Sequence, residues 1–279
     1  MSSISAVIPT YNRAVLLERA LDSVLAQTLP VDEVIIVNDG STDNTSSMLK
    51  SRYPEVNLIE QNNQGVSAAR NTGIAAARYD WIALLDSDDV WHQNKLEKQI
   101  QELNNAPDYL ICHCDEIWIR NGVRIKQMSK HKKMGGYIFQ HCLPLCAISP
   151  SAVIIHRSLF DKIGLFDETL PACEDYDLWL RLCSHYPVLY IEEALITKYG
   201  GHDDQLSRQY WGMDRFRIQA LNKIISTATL NDVDRDAAIK MMRSKINIYL
   251  AGAEKHDNTE HVDDFKQLLA KYTMDATTA

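Results

Sequence analysis

Over the first ninety residues, short apolar runs alternate with stretches in which apolar positions recur every three or four places. "SAVIPTYN" starts as a strand that Pro9 ends. In "RAVLLERALDSVLAQT", Leu16, Leu17, Ala20, Leu21, Val24 and Leu25 fall at helical spacing. Val34 to Val37 form a second buried strand that runs into the turn-rich "NDGSTDNT", where Thr42 and Asp43 can cap a helix carrying Met48 and Leu49. "NLIEQ" is a third, short strand, and "GVSAARNTGIAAAR" is a helix of small residues suited to close packing on a sheet. "DWIALLDSDD" is a fourth strand with acids at its carboxyl end. This alternation predicts a mostly parallel, Rossmann-like sheet covered by helices on both faces. Ligands of such sheets sit beyond the carboxyl ends of the strands. "PTYN", "NDGSTD", the region of "QNNQG" and "DSDD" all fall at those ends, so they should converge on one rim.

The later chain is less regular. Leu96 to Leu103 reads as helix, Leu110–Ile119 and Arg124–Met128 as strands, and "MGGY" as a loop. "SAVIIHRSLFDKIGLFDETL" predicts a strand and a short helix, "EDYDLWLRLCSHY" a helix with an acidic start, and "VLYIEEALITKYGGH" a returning strand. After about Ser207 the pattern is helical, in "YWGMDRFRIQALNKII", "VDRDAAIKMMRSKINIYLAGAEKH" and "HVDDFKQLLAKY". The expected organisation is a nucleotide-binding and catalytic domain over 1–207 with a helical appendage over 208–279.

Composition narrows the partners. The 279 residues are 46% hydrophobic and 24% charged, an ordinary globular balance, and the net charge of −8 argues against nucleic acid as the main partner. No apolar run approaches the roughly 20 residues needed to span a bilayer. "MSSISAVIPTYN" has neither a basic n-region nor an h-region, so no signal peptide is expected, and the chain reads as cytoplasmic. The six cysteines then sit in a reducing compartment. "CHC" at Cys112–Cys114 and "HCLPLC" at His141–Cys146 lack paired C-x-x-C spacing, so buried thiols are a better reading than zinc.

"LLDSDDVW" poses the chemical question. Two carboxylates about 4 Å apart repel by roughly 4 kcal/mol at a protein-like dielectric, so Asp86, Asp88 and Asp89 need solvent, backbone N–H groups or a cation. A calcium loop is excluded, because its sixth position is Trp91 where glycine is required. A Mg²⁺ or Mn²⁺ ion held by one or two carboxylates plus substrate phosphates fits better. Asp39 in "VNDGSTD" is either a turn residue or an acceptor for the imide N–H of a uracil on whose face Tyr11 stacks. Arg70 in "AARNTG" is either a surface residue or a guanidinium beside base or phosphates. Glu174, Asp175 and Asp177 suit the first turn of a helix electrostatically, and one of them facing the rim can act as a general base. His202 in "GGHDDQLS" is a structural histidine or a further metal ligand.

In this order, "VIPTYN", "VNDGSTDNT", "NQGVSAARNTGI", "LLDSDDVW", "EDYDLWLRL" and "HDDQLS" resemble the family 2 glycosyltransferases, inverting enzymes of the glycosyltransferase A-type fold. The match runs from about Ser5 to Ser207. The resemblance implies that Pro9, Thr10, Tyr11, Arg13 and Asp39 surround the uracil end of a UDP-sugar, with Arg70 close by. It implies that Asp86 and Ser87 contact ribose or sugar, that Asp88 and His202 meet a Mn²⁺ or Mg²⁺ ion, and that Asp175 is the catalytic base. The product class it implies is cell-surface polysaccharide or lipooligosaccharide, from a saccharide or lipid-linked saccharide acceptor, which leaves peripheral membrane contact open. Relatives often carry an Arg shortly before the His, where Gly200 and Gly201 stand here; Arg208 is a substitute. A nucleotidyltransferase would want a glycine-rich basic phosphate loop, and "IPTYNRAVLL" is not one. A non-catalytic sugar-nucleotide binder on the same fold is the remaining alternative, and an assay of UDP release discriminates it.

Overall fold

The computed structural model describes residues 3–201 and 210–274. Four parallel strands open the fold: β1 (Ile4–Thr10), β2 (Glu33–Asp39), β3 (Asn57–Gln61) and β4 (Trp81–Leu84), ordered β3-β2-β1-β4. Helices α1 (Ala14–Leu25), α2 (Thr45–Arg52) and α3 (Val66–Ala76) connect them. Beyond β4 the sheet continues through β8 (Ile154–His156), β6 (Ile111–Arg120), β9 (Leu189–Gly200) and β5 (Val90–Trp91), with β7 (Val123–Ile125) hairpinned onto β6. The sheet is therefore mixed. β8 runs antiparallel to both β4 and β6, while β6 and β9 are again parallel.

Both faces are covered. On β1, Val7 joins one apolar cluster while Ile4, Ala6 and Ile8 join the other, and β2 alternates in the same way. α1, α2 and α4 (Lys95–Asn105) cover the second cluster. α3 and α7 (Glu174–Cys183) cover the first, together with the short α5 (Phe139–Cys142) and α6 (Ser158–Ile163). Small residues let α3 lie close: a Cβ on Gly73 would sit 2.4 Å from Val7 Cγ1. The C-terminal helices α8 (Asp214–Thr227), α9 (Asp232–Lys255) and α10 (Val262–Met274) extend the first cluster, with Ile218 and Leu221 fully buried.

Two local expectations need correction. Pro9 lies inside β1, in register with Val37, instead of ending the strand. Its missing N–H costs no ladder bond on the other side, because the pairing of β4 with β1 stops at Val7 and Leu84. Cys112, His113 and Cys114 lie on β6 and are all fully buried, so the strand is covered on both faces where half-burial was expected. No described helix is long and apolar enough to cross a membrane.

Candidate active site

The carboxyl ends of β1, β2 and β4 form the expected rim. Pro9 and Thr10 are buried at the end of β1, whereas the Tyr11 ring stands 46% exposed just beyond it. Asn12 adopts a left-handed backbone (φ 51°), which asparagine tolerates. Its side-chain oxygen accepts from the backbone N–H of Thr42 at 2.7 Å and of Asp43 at 3.3 Å, which ties the β1 loop to the "GSTD" turn. Asp43 in turn accepts from the Thr45 N–H and hydroxyl at the start of α2.

Asp39 is buried at the end of β2. One oxygen accepts from Gln61 Nε2 (2.8 Å) and Gln64 N–H (2.9 Å), the other from Gly65 N–H (2.8 Å). The carboxylate therefore shapes the loop into α3 from the inside. Asp39→Ala strips an acceptor from three donors, so a stability loss of about 1–3 kcal/mol is expected by denaturation, with weaker UDP binding by calorimetry. Unchanged stability would mean that the loop keeps its shape without the carboxylate.

The acids of "DSDD" find three different partners. Asp86 Oδ1 meets Arg70 Nη2 at 2.6 Å. Asp88 Oδ2 meets Arg13 Nη1 at 2.9 Å, and the Asp88 carbonyl accepts from Arg19 at 2.7 Å. Asp89 turns inward, accepting from the Ser151 hydroxyl (2.6 Å) and the Tyr199 N–H (3.2 Å), with the Lys198 charge nearby. Ser87 between them is buried. Guanidinium and ammonium groups thus offset part of the repulsion within the chain. Burial works against the Asp86 carboxylate, yet Arg70, Lys198 and Arg13 outweigh it and hold the group below its ordinary range. Burial raises Asp88 and Asp86 adds to that, against Arg13. Asp89 is raised further by burial, with Asp88 and Asp86 pushing the same way.

Arg70 is no surface residue. It is 4% exposed and bridges two motifs, holding Asp86 with one nitrogen and Glu174 Oε1 with the other at 2.5 Å. Phe166 lies under the guanidinium, 5.1 Å from it. The acids that open α7 are thereby sorted. Cys173 enters the helix in a left-handed conformation (φ 61°). Glu174 points inward to Arg70, and burial pushes its carboxyl up to about 7, with Asp175 adding to the rise and Arg70 opposing it. Asp177 is held by Arg181 (2.7 Å) and Lys223 (3.1 Å). Asp175 takes the Tyr176 N–H on one oxygen (2.7 Å) and the Cys146 thiol on the other (2.9 Å). Burial raises the Cys146 thiol well above its usual range, so it stays a proton donor.

Several residues here escape sequence reasoning. Lys198 on β9 donates to Ser149 Oγ at 3.1 Å, and Glu116, Asp89 and Asp86 offset the cost of its burial. Lys133 pairs with Glu116 at 3.2 Å. The single lysine of "ITKYG" and the three of "KHKKM" carry no local mark of such burial. Cys146 stood in a quoted segment, but nothing in "HCLPLC" points to Asp175. His202 and Arg208 lie outside the described residues. Among the described residues no group of three or more His, Cys, Asp or Glu stands together as metal ligands. A Mg²⁺ or Mn²⁺ ion that takes one or two carboxylates plus phosphate oxygens asks for less, and Asp88, paired with Arg13, is the rim acid for that role.

The α/β sheet that carries this rim is similar in fold to solved structures. TarS 1–349 of S. aureus, solved in complex with UDP-GlcNAc, aligns over 97% of this chain and 80% of its own, at 20% identity and a TM-score of 0.72. The same protein in complex with UDP aligns over 89% and 72%, with a TM-score of 0.63. The relative RT0329 of Rickettsia typhi, described as an uncharacterized glycosyltransferase, is 34% identical over 209 residues, 72% of this chain and 65% of its own. The Nostoc sp. relative alr2836, described in the same words, is 28% identical over 259 residues, 88% of this chain and 75% of its own. The chain spans 35% of the length of a Rickettsia felis relative, 30% identical over 213 residues. Residues 5–164 match the glycosyl transferase family 2 profile, and the chain belongs to that family.

Proposed function

We propose that this chain is an inverting glycosyltransferase that moves a hexose or N-acetylhexosamine from a UDP-sugar to a hydroxyl of a saccharide acceptor. The observation that carries this reading is the Arg70 bridge, which draws Asp86 on the β4 side and the first turn of α7 to one point on the rim. The UDP-GlcNAc and UDP bound in the TarS structures support this choice of donor class. The uracil end lies against Thr10, Tyr11 and Asp39, with Tyr11 free on its exposed face to stack. Asp86 and Ser87 face the ribose and sugar, and Arg13 and Arg70 set the charge around them. Asp88, with His202 as a further ligand, would hold a Mn²⁺ or Mg²⁺ ion, whose charge stabilises a departing diphosphate.

Asp175 receives the proton. Its two oxygens are oriented by the Tyr176 N–H and the Cys146 thiol, so a lone pair remains for an acceptor hydroxyl. Because base and leaving group stand on opposite faces of the sugar, displacement inverts the anomeric centre. The donor elements lie within 1–207 and we assign acceptor contacts to Leu110–Ser149 and the helices of 208–279. The acceptor belongs to a cell-surface polysaccharide or lipooligosaccharide, free or lipid-linked, handled on the cytoplasmic side.

A panel of UDP-sugars tests the reading through UDP release with and without Mn²⁺ or Mg²⁺. EDTA should abolish release, and Asp88→Ala should reproduce the effect of EDTA. Full turnover in chelator would overturn the metal assignment. Tight UDP-sugar binding with no release under any condition would favour a non-catalytic binder.

A further inference from the structure

Beside the start of α7, the described residues of the C-terminal helices line an open hollow of about 290 Å³, with Trp211, Asp214, Arg217, Tyr249, Gly252 and His256 among its walls. That is close to the lower end of the range for small-molecule sites. Its wall has two characters. The Trp211 indole is 36% exposed and is braced edge-on by Tyr249, with 5.2 Å between ring centroids, and by His256 at 6.4 Å. Asp214 accepts from Arg217 (2.9 Å) and Lys245 (3.1 Å), while Arg217 Nε is buried without a hydrogen-bond partner among the described residues.

Glycines shape the space. Gly252 lies inside α9, where glycine costs about 0.5–1 kcal/mol relative to alanine. Packing does not demand it, since a Cβ built there meets nothing within 4 Å. Any larger side chain would instead project into the cavity. Gly212 is left-handed (φ 62°), and a Cβ there would come within 2.7 Å of the Tyr249 ring, so glycine lets the Trp211 segment lie against Tyr249.

The cavity adjoins the chemistry. Met213 lends its carbonyl oxygen 4.0 Å from Cys173 Sγ, and Cys173 directly precedes Glu174 and Asp175. Lys245, which donates to Asp214 in the wall, also donates to the Pro144 carbonyl at 2.9 Å, two residues before Cys146, whose thiol donates to Asp175.

We propose that this cavity is an acceptor subsite that takes a pyranose ring of the saccharide acceptor, at a unit away from the hydroxyl that reacts beside Asp175. A pyranose presents a face of C–H groups and a rim of hydroxyls. The indole of Trp211 matches the face, and the Arg217 guanidinium, Asp214 and His256 match the rim. The assignment rests on the transferase reading above, with Asp175 next to the acceptor.

Binding of the full chain to an array of hexose and N-acetylhexosamine oligosaccharides, in the presence of UDP, tests it directly. Wild type should bind at least one oligosaccharide. Gly252→Leu, which fills the cavity, and Trp211→Ala, which removes its platform, should each weaken that binding by about 10-fold or more, equivalent to ~1.4 kcal/mol. UDP affinity by calorimetry should stay at the wild-type value in both, and Gly252→Leu should melt no lower than wild type. A wild type that binds no oligosaccharide overturns the proposal, as does a Gly252→Leu variant that binds the same sugar equally well. Binding abolished by both variants, in a wild type that releases UDP from no UDP-sugar, would sink the transferase reading and leave the saccharide site standing.

Discussion

Asp175→Asn should lower sugar transfer by about 10²-fold or more, within the usual reach of a positioned general base, while affinity for UDP-sugar and metal stays near wild type. The substitution keeps the size of the side chain and an acceptor for the Tyr176 N–H, but the amide cannot take a proton. Its NH₂ would then face Cys146, in place of an oxygen that now accepts from the thiol at 2.9 Å. The measurement is the initial rate of transfer, paired with calorimetry of UDP-sugar binding. The pairing matters because lost affinity would point to a damaged rim. A wild-type rate would remove Asp175 from the role. Glu174 would be the next acid to consider, although it must first leave Arg70, which holds it at 2.5 Å.

Arg70→Met should be nearly as damaging, for a different reason. Glu174 and Asp86 would lose their shared guanidinium while Glu174 stays buried. Breaking a buried ion pair from one side typically costs about 3–5 kcal/mol when the remaining charge has no compensation. Glu174, already pushed up to about 7 by burial, can take up a proton, so the loss should fall at the low end of that range. Equilibrium denaturation should show a loss of that order, together with weakened UDP binding. The double variant Arg70→Met with Glu174→Gln should recover part of the stability, since one stranded charge is then gone. A loss of less than about 1 kcal/mol would put the bridge in the class of exposed pairs. Arg70→Lys is no conservative control, because one ammonium cannot span two carboxylates as a planar fork does.

These expectations differ in how far the chain announces them. The strands and helices of the first ninety residues are written in local periodicity, and apart from the end of β1, which runs through Pro9, they appear where the pattern puts them. The short β5 after "DSDD" was not visible, since two residues carry no period and exist as a strand only through pairing with β9. β8 was expected as a strand, but its direction was not. It enters antiparallel between β4 and β6, and local sequence does not encode orientation between segments so far apart. The continuity of α8 and α9 with the core under α7 was likewise hidden. An amphipathic stripe says that a helix will be covered, without saying by what.

The sequence by itself determined the alternation of strand and helix, the placing of polar clusters at strand ends and the choice of charged and hydrogen-bonding residue types along the rim. Each of these is set within a handful of neighbouring residues, by side-chain period, turn chemistry and charge. Only the tertiary structure decided which charges meet. Arg70 finds Glu174 across 104 positions, Arg13 finds Asp88 across 75, and Cys146 finds Asp175 across 29. Asp89, indistinguishable from its neighbours in "DSDD", turns inward to Ser151 and Tyr199 and leaves the rim to Asp86 and Asp88. Such pairings depend on how strands and helices cross, and burial then multiplies their strength by excluding water. A chain read locally contains the charges without their distances, and electrostatic energy is a function of distance.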